Sequence, residues 1–368
     1  MLFDSRLDRI VVLRALQLGD MLCAVPALRA LRAAQPEAHI ALIGLPWAAE
    51  FVDRFGGYLD ELIEFPGYPG IPERPASLQS VRPFFDDMAR RRWDLAIQLQ
   101  GDGTITNGFV ARLGAGRTAG FSTPDAPGRD PENSIRYPGA VPEPRRHLAL
   151  MAHLGAAGSS AIDDRLEIPI HPEDRRRSAA LRGSLAPGTY AVVHAGARDE
   201  RRRWPAERFA SVADRLADRG LRLILTGSAE ERQLTEAVRA KMRHEPAVLA
   251  GRTDLGAMAA LIDDAAIVVA NDTGVSHLAT ATRTPSVIIF TASEPGRWAP
   301  TNRRVHVALT PERAPACWWD TSCDHGGRHP GTSVEVERVL AAVDRLLRAT
   351  RGPIDAGSRP FAVAEPIQ

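Results

Sequence analysis

Only three cysteines occur in 368 residues. So few exclude a disulfide framework, and a reducing, cytoplasmic location is expected. Charge of one sign is lacking as well: 46 Lys and Arg stand against 45 Asp and Glu. That balance argues against a nucleic-acid partner. It lends no support to membrane attachment either, although exposed arginines remain compatible with peripheral contact at the inner membrane. No apolar run approaches the roughly 20 residues that span a bilayer. Met1 to Arg9 is charged and runs straight into a strand-like segment, without the apolar stretch and small-residue cleavage site of a signal peptide.

What is present is an ordinary globular mixture, 44% hydrophobic and 25% charged, of a length that suits two domains. Short aliphatic runs alternate with longer helix-like segments. Arg9–Arg14, His39–Gly44, Leu62–Phe65, Asp94–Gln98 and Thr118–Phe121 read as strands, and Met21–Ala34 reads as a helix with Leu22, Val25, Leu28 and Leu31 on one face. The pattern then restarts, with strands at Tyr190–His194, Leu221–Thr226, Ala247–Leu249, Ile267–Ala270 and Val287–Phe290. Helices are expected at Ala206–Asp218, Glu230–Arg243, Leu255–Asp263 and Val275–Thr282, with a terminal one at Val334–Leu347. Repeated strand–helix–strand units imply parallel sheets covered by helices, with ligands at the carboxyl ends of the strands. We expect an α/β protein of two lobes, residues 1–168 and 189–350, with a linker at 169–188 and a flexible tail at 351–368. Residues 121–144 read as a long loop.

Four strand ends carry residues suited to chemistry. Leu18-Gly19-Asp20 opens the first helix; Asp20 reads either as a helix cap or as a general base, and a helix start would lower its basicity. Ala270-Asn271-Asp272-Thr273-Gly274-Val275-Ser276-His277 closes a strand and opens a helix, where free amides of Thr273, Gly274 and Val275 would cradle a phosphate. The structural alternative has Asp272 capping and His277 packing. His194-Ala195-Gly196-Ala197 leads into Arg198 and Arg201-Arg202-Arg203, of which one or two are expected to reach a diphosphate. Thr226-Gly227-Ser228-Ala229-Glu230-Glu231 places an acid where a ribose diol would sit, unless it only offsets the helix dipole. Three of the four signals converge on one lobe.

These residues resemble glycosyltransferase family 9, best known for ADP-heptose:lipopolysaccharide heptosyltransferases. The resemblance runs through Arg14…Leu18-Gly19-Asp20 with Pro26-Ala27-Leu28, Arg202-Arg203-Trp204-Pro205, Gly227…Glu230, Gly251-Arg252-Thr253-Asp254-Leu255 and Asn271-Asp272-Thr273-Gly274-Val275-Ser276-His277-Leu278-Ala279. It implies the GT-B architecture, two Rossmann-like domains facing each other across a cleft. The acceptor, a glycan or lipid-linked saccharide, would lie on the first lobe and the nucleotide sugar, ADP-linked, on the second. It further implies inverting transfer with neither metal nor cofactor, and Asp20 as catalytic base. Donor binding falls to Arg202, Gly227, Glu230, Asp272, Thr273, Gly274 and His277. Arg202 stands where many members have lysine, and Leu16 where many have serine. A family member using another sugar, or a non-catalytic nucleotide-sugar binder, are the competing readings. Cys317 and Cys323, with His325 and His329, lack the spacing of a zinc knuckle and read as loop thiols. Trp318 and Trp319 beside them read as packing beneath the loop, with stacking on a sugar as the alternative.

Overall fold

The computed structural model describes residues 1–126, 130–139, 141–156, 163–312 and 333–350. The expected features at Cys317, Trp318, Trp319, Cys323, His325 and His329, and the tail 351–368, lie outside the described residues.

The first lobe holds β1 (Arg9–Leu13), α1 (Leu18–Ala34), β2 (His39–Gly44), α2 (Ala48–Arg54), β3 (Glu61–Glu64), α3 (Leu78–Arg90), β4 (Leu95–Gln98), α4 (Thr106–Val110), β5 (Arg117–Ser122), β6 (Ser134–Arg136) and α5 (Glu143–Leu154). Its strands are all parallel, in the order β3-β2-β1-β4-β5-β6. Helix α6 (Pro172–Arg182) precedes the second lobe: β7 (Tyr190–His194), α7 (Ala206–Asp218), β8 (Arg222–Thr226), α8 (Arg232–Arg239), β9 (Ala247–Val248), α9 (Leu255–Asp263), β10 (Ile267–Asn271), α10 (Gly274–Ala281), β11 (Ser286–Ile289), α11 (Pro295–Trp298), β12 (His306–Leu309) and α12 (Val336–Thr350). These strands are parallel too, ordered β12-β11-β10-β7-β8-β9. Both sheets share the doubly wound order, whose switch points lie between β1 and β4 and between β7 and β10. The architecture is GT-B.

The central strands are aliphatic and buried on both faces, as parallel sheets demand. Helix α1 departs from the one-sided burial expected of it: every residue from Met21 to Leu28 is buried. Those eight residues carry no charge, which suits a helix packed against α5 and against α10 of the other lobe and sharing one apolar cluster with its own strands. One apolar cluster therefore runs from Ile10 and Leu22 through Val275 and Leu278 without a break at the lobe boundary. A second seam is ionic. Arg54 of α2 donates to Asp174 of α6 at 2.5 Å, both side chains almost fully buried, and α6 leans on α9. Losing one partner of such a buried pair costs about 3–5 kcal/mol.

Two expectations need correction. Residues 121–144 are not one loop: they include β6, a 3-10 turn at Pro131–Asn133 and the start of α5. Asp130 secures that excursion by accepting from the Thr118 amide at 2.5 Å. Helix α8 is also shorter than Glu230–Arg243. Asp214 of α7 accepts from the Arg243 and His244 amides at 2.9 and 3.0 Å and turns the chain away.

Candidate active site

The cleft contains a cavity of about 480 Å³, lined from the first lobe by Gln17, Gly19 and Asp20 and from the second by the loops after β7 and β10 and by Trp298. Both walls are strand ends at a switch point.

On the first wall, Arg14 directly follows β1, with its side chain 1% exposed. Its Nε and Nη2 donate to the Asp20 carbonyl at 2.9 and 2.6 Å, and Nη1 donates to the Leu99 carbonyl. This clamp sets the first turn of α1. Gln17 is the N-cap of that helix and Asp20 its third residue, so Asp20 is not the cap. The Asp20 carboxylate remains 26% exposed, with Arg14 Nη2 4.0 Å away. Burial pushes its pKa up; Arg14 opposes this and the charge of Glu143 adds to it. The helix start was expected to lower the basicity of Asp20, but desolvation outweighs it.

Glu143 was not singled out from the sequence, yet it organises this wall. It is 3% exposed and pairs with Arg146. Arg14 lies 3.6 Å away, His147 3.3 Å and Arg297 of the second lobe 2.8 Å. Burial alone would raise its pKa, but His147, Arg14 and Arg297 reverse that and hold it well below the usual carboxylate range. The available signal was local: Arg146 and His147 follow Glu143 by three and four residues, the spacing of helical ion pairs. The reach to Arg297 had no local signal.

On the second wall, Asn271 is fully buried and ties two loops together. Its Nδ2 donates to the Ala195 carbonyl at 2.8 Å, and its Oδ1 accepts from the Trp204 amide at 3.0 Å. Asp272 is not a cap: Ser293 Oγ donates to its Oδ2 at 2.6 Å, and Arg202 Nη1 lies 3.9 Å from it. Thr273 is the N-cap of α10, accepting from the Val275 amide, while the Thr273 amide donates to Ser276 Oγ. Of the three amides expected to be free, only that of Gly274 lacks a partner among the described residues. The cap consumes the other two.

The arginine run sorts itself by pairing. Arg201 binds Asp199, and Arg203 binds Glu200 and the Ala197 carbonyl. Arg202 and Arg198 line the cavity, and the buried Nε of Arg202 has no hydrogen-bond partner. His277 also lines it, with burial pushing the imidazole pKa down. Gly227 and Glu230 are not among the lining residues. A Cβ at Gly227 would lie 2.8 Å from Thr235 Oγ1, so that glycine serves the passage from β8 toward α8, and Glu230 is exposed. Its neighbour Glu231 turns inward instead, accepting from the Ser228 amide at 2.9 Å and lying 3.8 Å from His194. Among the described residues no group of three His, Cys, Asp or Glu is arranged to hold a metal.

The sequence model of glycosyltransferase family 9 (heptosyltransferase) matches residues 81–323. The chain belongs to glycosyltransferase family 9. The matched stretch includes the whole second wall but not Asp20, so the first wall rests on the geometry above. Among curated relatives of this family 9 chain, lipopolysaccharide heptosyltransferase 3 of Escherichia coli K12 is 31% identical over 114 residues. That stretch is 30% of this chain and 33% of the relative, so the chain spans only about a third of the relative's length. A glycosyltransferase family 9 structure from Veillonella parvula superposes with a TM-score of 0.77 at 22% identity, covering 94% of this chain and 98% of that one. The E. coli ADP-heptose lipopolysaccharide heptosyltransferase II structure gives 0.67 at 20% identity, covering 93% and 99%. These likenesses establish the fold.

Proposed function

We propose that the chain is an inverting glycosyltransferase that moves heptose from an ADP-heptose donor to a hydroxyl of a bacterial glycan or lipopolysaccharide-type acceptor. In this reading residues 1–168 hold the acceptor, 189–350 hold the nucleotide, and 169–188 join them. One observation carries it. Asp20, a carboxylate made more basic by burial, lines the same cavity as Arg202 and as Gly274, whose amide has no partner among the described residues. A base on one wall and an anion cradle on the other are what a single displacement at an anomeric carbon requires.

The acceptor oxygen forms its bond to the anomeric carbon as its proton passes to Asp20. The sugar–phosphate bond breaks on the opposite face, and the diphosphate leaves with the electron pair. Charge growing on it is met by Arg202, Arg198 and the start of α10. In this reading those groups do the electrostatic work without a metal, and turnover survives a chelator. The raised basicity of Asp20 suits it to take a proton from a hydroxyl whose acidity rises only during attack. In this reading closure of the two lobes around the donor excludes water and so limits its hydrolysis.

A second reading keeps the transfer and changes the sugar. Leu16, half-buried and next in the chain to the cavity-lining Gln17, places an apolar side chain in the loop before Asp20, and its carbonyl accepts from Trp47 Nε1 at 3.2 Å. Thermal unfolding against a panel of nucleotides and nucleotide sugars separates the two, because ligands that bind only the folded state raise the midpoint. Shifts with ADP and ADP-sugars alone support the heptose reading. A preference for UDP or GDP compounds moves the assignment to another sugar, and no shift with any of them sinks the donor site.

A further inference from the structure

We propose that Cys23, on the first lobe, is a positioning residue that holds His277, on the second, in the tautomer whose Nε2–H faces the cleft. The two residues lie 254 positions apart, and the Cys23 Sγ is 3.6 Å from His277 Nδ1. Both are buried, Cys23 to 1% exposure and His277 to 6%. On the opposite ring edge, Nε2 lies 4.0 Å from Asp272 Oδ1. Gly19 presses against that edge so closely that a Cβ there would be 2.6 Å from Cδ2. Gly19 and Asp272 line the cleft cavity, whereas Cys23 lines a second cavity behind the lobe junction. Nδ1 therefore faces the back and Nε2 the front.

Two constraints agree on where the ring proton sits. Burial keeps the Cys23 sulfur as a thiol, which has a proton to donate and makes Nδ1 the acceptor. Burial also disfavours the doubly protonated ring, against the opposing pull of Asp272 and Asp20, with Arg202 adding to the burial effect and Glu143 to the pull. The single proton then belongs on Nε2. The reverse tautomer would turn a bare Nε2 lone pair toward the Asp272 carboxylate. A partner on one imidazole nitrogen sets the role of the other. Here that partner comes from the opposite lobe, so the donor-side hydrogen bond is defined only when α1 and α10 are in contact. The functional consequence, a neutral N–H aimed at the leaving diphosphate, rests on the donor-site reading above.

The test uses the full chain labelled with ¹⁵N-histidine, with His277→Gln to assign the resonance and ADP as the probe ligand. His277 is expected to show a bare Nδ1 and a protonated Nε2 in the parent chain and in Cys23→Ser. Cys23→Ala should give a mixed tautomer and bind ADP about 5- to 10-fold more weakly, the worth of one modest hydrogen bond, with Cys23→Ser restoring most of that loss. A protonated Nδ1 in the parent chain overturns the proposal without any variant. So does a Cys23→Ala protein whose tautomer is unchanged while its melting point falls, since that is the signature of packing alone. If ADP binds none of the proteins but the tautomer responds to Cys23, the donor reading fails and the positioning role stands.

Discussion

Gly19→Ala tests whether the two walls of the cleft are held in register by a missing side chain. A Cβ at this position would stand 2.6 Å from His277 Cδ2 and 3.5 Å from the Gly274 Cα. Carbon atoms pack at about 3.5–4.0 Å, so the ring or the helix must retreat by roughly 1 Å. Cys23, at 3.6 Å on one edge, and the Trp298 ring, its centroid 6.3 Å away, oppose a retreat of the ring. The strain falls instead on the α1–α10 contact, moving Asp20 relative to Gly274 and Arg202. Overpacking of this kind costs about 1–3 kcal/mol of stability, and a 1 Å misplacement of reacting groups costs on the order of 10²-fold in rate. We expect kcat to fall by about that factor while the far-ultraviolet spectrum and each lobe's secondary structure persist. Steady-state kinetics with the donor identified by the thermal panel, alongside a melting curve, would read both numbers. Turnover within threefold of the parent chain would refute the argument that this contact aligns the site.

Other perturbations follow from the charge cluster. Asp20→Asn should abolish most turnover yet raise the melting point at neutral pH, because burial raises the Asp20 pKa and its ionised form is a cost to the fold above that range; a lower melting point would contradict this. Glu143→Gln removes a negative charge that makes Asp20 more basic and frees Arg14, which lies 4.0 Å from the Asp20 carboxylate, so the acid limb of the rate profile should move to lower pH. The same change takes the Glu143 charge from Arg146 and Arg297 and should destabilise the fold by about 3–5 kcal/mol, read by denaturant unfolding. His306 is buried with a pKa lowered from 6.5 to about 4 by burial and Arg303. The unfolded chain therefore binds a proton that the folded chain refuses, and stability present above pH 6.5 is lost as pH falls toward 4. Melting curves of His306→Gln should show a weaker decline across that window; an identical decline would remove His306 as a source.

Much of the fold was legible because parallel strands buried on both faces read as short aliphatic runs, as at Ile10–Leu13 and Ile267–Ala270. Asp20, Asp272, Gly274, Arg202 and His277 were legible as candidates because each falls at a strand end before a helix. Their states were less so. The helix start suggested a weakened base at Asp20, whereas burial raises its pKa. Three free amides were expected at α10, and the Thr273 and Ser276 side chains occupy two of them. Glu230 was read as facing the cleft, but the turn at Ser228 carries Glu231 inward instead.

The sequence by itself determined the alternation of strands and helices, the near-neutral surface and the strand ends where a ligand would gather. All of these are set by residues within a few positions of one another, through periodicity and capping. Arg201 and Arg203 pair locally with Asp199 and Glu200, but only tertiary structure set Arg202 in the cavity wall, 3.9 Å from the distant Asp272. It also decided that Glu143 would gather Arg14, Arg146 and Arg297, and that a thiol on α1 would touch an imidazole on α10. Desolvation and long-range ion pairing act through space. Groups distant along the chain set the charge and tautomer of this site only once both lobes have folded against each other.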